Sequence, residues 1–177
     1  MPTGKYRRII ETLQTRLSSP RNRRFYAVIG TEHRLKTLDE QLSRSEAPDG
    51  KLFPSAVSVS CGIIYALPDG VLEMSVVEEE FVQFATLAPL VASAFESFIR
   101  SRVAGRGLTV LRGFELVFGY QLKLKSLQTL TANHDQLILL LPGKRKGNAL
   151  VLFPNSEQGG FPSPSDVVAD EDCLELA

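Results

Sequence analysis

The chain is poor in the residues that carry most chemistry. It has two cysteines and two histidines in 177 residues. Cys61 and Cys173 are too far apart for a disulfide framework or a zinc spacing. Cys61 sits in an apolar alternating run and reads as a small buried hydrophobe. Cys173 is not fourth from the end, so it is no prenylation box. His33 is flanked by Glu32 and Arg34, and His134 precedes Asp135; both read as surface histidines. There is no G-x-S-x-G, no pair of catalytic carboxylates at a working spacing and no glycine-rich cofactor fingerprint. Glu78, Glu79 and Glu80 are consecutive, so on a helix they point apart and suit a helix start better than a metal. No catalytic residue, metal or cofactor is expected, and the expected class is a non-enzyme.

Long apolar runs are missing too. No stretch reaches the roughly 18 residues of a spanning helix. The first apolar cluster is interrupted by Arg7, Arg8, Glu11 and Arg16, unlike a secretory signal. The expected location is cytoplasmic, with a peripheral membrane or virion setting as the variant. There is no internal repeat.

Net charge is absent as well, with 20 basic and 20 acidic side chains. That excludes a globally basic nucleic-acid binder, and sequence-specific nucleic acid is not an expected partner. The zero is a sum over blocks, however: +5 over 1–53, −6 over 54–99, +7 over 100–149 and −6 over 150–177. Such segregation implies separate charged surfaces. Two basic clusters are candidate contacts: Arg21, Arg23 and Arg24, which run into Phe25 and Tyr26 and suit a single strand or an anionic membrane, and, for phosphate, an acidic protein face or an anionic membrane, Lys144, Arg145 and Lys146. The second lies in Gly143–Asn148, which lacks the spacing and the GK[ST] ending of a phosphate-binding loop.

The hydrophobic content of 44% is ample for one core. Ile9, Ile10, Leu13 and Leu17 predict an amphipathic helix over 4–18. Phe25–Ile29 predicts a strand. Thr31 caps a helix carrying Leu35, Leu38 and Leu42. The alternation from Val57 to Leu67, the turn Leu67-Pro68-Asp69-Gly70 and the apolar run Val71–Val77 predict a hairpin. A long helix follows over 78–103, with Pro89 inside it. Phe114, Leu116, Phe118, Tyr120, Leu122 and Leu124 alternate, predicting a long half-buried strand over 108–125. Gln136–Leu141 and Ala149–Phe153 complete the sheet. Residues 154–177 change to Pro, Ser, Gly and acids and predict a mobile tail. The expected fold is therefore α+β: a single domain whose antiparallel-rich sheet packs on a long central helix, with an N-terminal helix and an acidic C-terminal tail. The expected division is 1–30, a basic helical extension; 31–153, the core; and 154–177, the flexible tail.

The segments AVSVSCGIIYALPDGVLEMS (56–75), FATLAPLVASAFESF (84–98) and DQLILLLPGKRKGNALVLF (135–153) resemble, in pattern, the roadblock family of small modules related to longin domains. The resemblance implies a scaffold or regulator for small GTPases and motors, dimerising through the long helix and an edge strand. A second resemblance, of architecture only, is to the matrix proteins of negative-strand RNA viruses; it implies partners in a nucleocapsid and an anionic membrane. The expected function is assembly through protein–protein contacts, as a homo-oligomer or with a related subunit. Phe84, Ala88, Val91, Phe95, Phe114, Leu116 and Phe118 are the candidate interface, because they offer more apolar face than one thin layer needs.

Overall fold

A computed structural model describes residues 4–19, 25–71, 80–132, 134–156, 159–162 and 168–176, with the backbone alone at 80–83 and 132. Helix α1 spans Gly4–Ser18, strand β1 Phe25–Gly30 and helix α2 Glu32–Leu42. Strand β2 (Val57–Ser58) leads directly into helix α3 (Val59–Ala66). Helix α4 (Glu80–Phe98) ends in a π-helical turn over Ile99–Val103. Then come β3 (Leu108–Arg112), the short α5 (Glu115–Gly119), α6 (Lys125–Ala132), β4 (Gln136–Lys146), β5 (Ala149–Leu152), β6 (Phe161–Pro162), a 3-10 turn at Asp170–Asp172 and β7 (Cys173–Glu175).

The main sheet has the order β2-β3-β4-β1-β7, and every pair along it is parallel. This corrects the α+β, antiparallel-rich expectation: the molecule is α/β, and among the described strands β4–β5 and β5–β6 are the antiparallel pairs. The reason is visible in the two central strands. FYAVIG and the LILLL run of β4 are buried along their whole length, as parallel strands covered on both faces must be. Phe25, Ala27 and Ile29 with Leu137, Leu139 and Leu141 face α3, α4 and α6. Tyr26 and Val28 with Ile138 and Leu140 face α1 and α2. One helical layer covers each side of the sheet.

Two alternating runs turn out helical. Over 59–66 the buried residues are Val59 and Ile63, four apart, so the run that reads as period two is satisfied by one turn of helix. Ser58 caps it, its Oγ accepting from the Cys61 N–H at 3.2 Å. Gly62 lets α3 press on α4, since a Cβ there would stand 2.2 Å from Phe98 Cδ2. Over 114–130 the buried residues are Phe114, Val117, Leu124, Leu127 and Leu130, a helical spacing broken at Gly119–Tyr120. The turn at Pro68–Gly70 is present, with Gly70 at φ 81°. Residues 72–77 of the expected hairpin, and Glu78 and Glu79, lie outside the described residues.

The segments at both ends of the chain belong to the same sheet and core. Strand β1, within 1–30, is flanked by β4 and β7. Strand β7, within 154–177, pairs with β1 through Ala27↔Cys173, Val28↔Leu174 and Ile29↔Glu175. Val168 and Leu176 are buried.

Candidate functional site

The central strands β4 and β1 end side by side at the carboxyl edge of the sheet. From β1 the chain leaves through α2 toward the β2 edge, and from its neighbour β4 it leaves toward the β7 edge. In open parallel sheets, ligands bind in the crevice beyond the carboxyl ends of such strands. A cavity of about 540 Å³ lies there. Its walls are Gly30-Thr31-Glu32 after β1, Pro142-Gly143-Lys144 on β4, Glu115 and Gly119 on α5, and Phe153 to Ser156 with Phe161.

Local sequence sets these walls. Thr31 caps α2, its Oγ1 accepting from the Arg34 N–H at 3.4 Å. Glu115 starts α5, and its Oε2 accepts from the Ser60 hydroxyl at 3.1 Å. The single Ser60 hydroxyl proton is shared between that carboxylate and the Gly113 carbonyl (2.8 Å), and Oγ accepts from the Leu116 N–H (3.2 Å), so α3 and α5 are tied at the carboxyl edge. Phe153 holds a left-handed φ of 47°, uncommon for an aromatic residue, with its N–H on the Pro142 carbonyl at 2.7 Å. Its ring lies 5.3 Å from Phe118 and 6.5 Å from Phe161, and Phe118 lies 5.7 Å from Phe161. An adjoining crevice of about 450 Å³ shares Glu32, Glu115 and Pro142 and continues along His33, Lys36 and Arg112. Arg112 Nε stands 4.0 Å from Asp39 Oδ2.

A second concavity, about 770 Å³, opens at the β2 edge. Val57, Cys61, Tyr65, Arg102, Arg106 and the start of β3 line it. Strand β2 pairs only with Leu111 and Arg112, so Leu108–Val110 have no strand on that side among the described residues. Tyr65 is 91% exposed, and Ile64 and Val57 are 41% and 38% exposed.

The candidate residues read from the sequence fall in different places. Lys144, Arg145 and Lys146 are exposed in the β4–β5 ladder rather than in its loop. Arg145 is engaged: its Nε donates to Glu175 Oε1 at 2.7 Å and Nη2 reaches the same oxygen, which raises the guanidinium pKa. Arg21, Arg23 and Arg24 lie outside the described residues. Val91, Phe95 and Phe114 are buried in the chain's own core. Ala88, Leu116 and Phe118 are half-buried, and Phe84 is exposed but stacked on Tyr120 at 5.3 Å. The carboxyl-edge crevice was not legible, because its walls come from five separate stretches of chain.

The two cysteines differ, and Cys61 is exposed rather than buried. Burial, then the carboxylates of Asp170, Asp172 and Glu175, push the Cys173 thiol up from 9.0 to about 11. At pH 8 its thiolate fraction is about a hundredfold below that of an unshifted thiol. Iodoacetamide should therefore modify Cys61 first, read by peptide mass spectrometry over time; equal rates would contradict the placement of β7. Because the shift penalises the thiolate, this group leaves stability unchanged below about pH 9 and lowers it as pH rises from about 9 to about 11.

Among the described residues no three His, Cys, Asp or Glu side chains are grouped to hold a metal, and no helix is long and apolar enough to cross a membrane. Comparison of the chain with protein-family models, with curated proteins and with solved structures found no match.

Proposed function

We propose that the protein is a non-enzymatic assembly protein that acts through protein–protein contacts, with a second copy of itself seated on the β2-edge groove. The observation that carries this reading is Tyr65, 91% exposed and lining a concavity of about 770 Å³. A tyrosine left in water beside Ile64 and Val57 is the kind of anchor that dominates interfaces. The uncovered edge of β3 supplies backbone groups for an added strand or loop. Arg102 and Arg106 on the rim favour an acidic counterpart, and the chain's own 150–177 stretch carries net −6. A net charge of zero imposes no general repulsion between copies.

This surface is not the one the roadblock resemblance implies, since the long helix has its main apolar residues inside the protomer. The assembly reading stands on the groove alone. Light scattering during size exclusion should give a mass that rises above the 19.5 kDa protomer with concentration. The double substitution Ile64→Ser, Tyr65→Ser should weaken that association by at least about thirtyfold, the scale of one interface anchor. A strict monomer at high concentration, or association unchanged by the double substitution, would overturn the reading.

A further inference from the structure

The crevice beyond β1 and β4 is separate from the groove just described, and its chemistry is different. One wall is aromatic: Phe153 and Phe161 line it, backed by Phe118, with the three rings tilted at 42° to 78° to one another and centroids 5.3 to 6.5 Å apart, so each offers its own face or edge. Gly30, Pro142 and Gly143 add no polar side chain to the lining, and Thr31, Asn155 and Ser156 add neutral ones. The charged lining is two carboxylates, Glu32 and Glu115, with one cation, Lys144, and one Glu115 oxygen already accepts from Ser60. Ionised carboxylates only accept hydrogen bonds, so whatever meets them must bring N–H or O–H donors. A free phosphate brings only negative charge and would face both carboxylates. A flat ring with exocyclic N–H groups satisfies both kinds of lining at once, stacking on the phenylalanines and donating to the glutamates.

We propose that this crevice is a binding site for a small planar heteroaromatic ligand carrying an amino group, of the nucleobase or nucleoside type. The position supports it, since the carboxyl ends of the central strands are where open parallel sheets take their ligands. The cavity, about 540 Å³, is within the size range of small-molecule sites. The strained φ of Phe153 supports it too: the backbone holds that ring at the wall at a conformational cost, which is a recurrent feature of binding sites.

The test is calorimetric titration of the full chain with adenosine and with cytidine, in the presence of EDTA, and with ATP as a third probe. Saturable binding of at least one nucleoside is expected at about 1 mM or below. Phe161→Ala should weaken it about tenfold, the scale of one stacking contact. Glu32→Gln, at an exposed position in the first turn of α2, should weaken it severalfold, with only the small fall in melting temperature that the lost helix-dipole interaction brings. ATP should bind no more tightly than adenosine, because its phosphates add negative charge to a crevice whose charged lining is net negative. No binding of either nucleoside at about 1 mM, binding indifferent to both substitutions, or ATP binding more than tenfold tighter than adenosine would each overturn the proposal. None of these results depends on the oligomeric state, so failure here leaves the assembly reading standing, and the reverse.

Discussion

Deleting residues 168–177 should lower the unfolding free energy by about 5 kcal/mol, read as a fall in the urea midpoint. The segment is acidic and short, and as a solvated tail its loss would change nothing. In the structure it closes one edge of the parallel sheet. Val168 and Leu176 are 2% and 3% exposed, each worth about 1.5–3 kcal/mol of burial. The Leu176 N–H donates to the Ile29 carbonyl at 2.7 Å, and Arg16 Nη1 donates to the Glu171 carbonyl at 2.7 Å. Such bonds contribute about 1 kcal/mol each. Removal would also uncover the outer edge of β1, a buried strand with no charged residue of its own, and so invite aggregation. Leu176→Ala alone should cost about 2–3 kcal/mol. An unchanged midpoint on deletion would mean that β7 does not pair with β1.

The second large effect is expected at Asp135. Its carboxylate is 4% exposed and holds two backbone groups, accepting from the Gly105 N–H at 2.9 Å with Oδ2 and from the Gly107 N–H at 3.0 Å with Oδ1. Both glycines are left-handed, at φ 72° and 77°, so the chain makes a tight reversal between the π-helical turn and β3, and the carboxylate pins it. The same loop positions β3 against β4, through the Gln136 N–H on the Gly107 carbonyl at 2.8 Å. Hydrogen bonds to a charged group contribute about 1.5–3 kcal/mol each, and water at the exposed glycines offsets part of the loss. Asp135→Ala should therefore cost about 3 kcal/mol in chemical denaturation. Asp135→Asn should cost nearly as much, because one oxygen becomes an NH₂ that faces a donor. A cost below about 0.5 kcal/mol, the range of ordinary surface changes, would contradict the clamp.

How legible these features were depends on how local their causes are. Helix α1 coincides with the predicted 4–18, since its four apolar residues share one face whatever lies opposite. Helix α2 begins where Thr31 predicts, because an N-cap hydrogen bond spans only three residues. Strands β1 and β4 were legible for a similar reason: an apolar run of five or six residues between turn signals suits a doubly covered strand. The same runs carried the signal for a parallel sheet, and it was outweighed by alternation at 57–67 and 114–124. That alternation misled because a small residue at every second place fits a helix packed tightly on another as well as it fits a pleat. Gly62 beneath Phe98 is the case in point.

The sequence by itself determined the helical faces, the two central strands, the cap at Thr31 and the segregation of charge, all of which rest on contacts within a few residues or on simple counts. Only the tertiary structure decided the parallel order of the sheet, the use of Cys173–Glu175 as an edge strand, the Asp135 clamp and the crevice between β1 and β4. Each of these joins residues 28 or more positions apart. Such a pairing is chosen by which buried surfaces fit together, and no property of either segment alone carries that information.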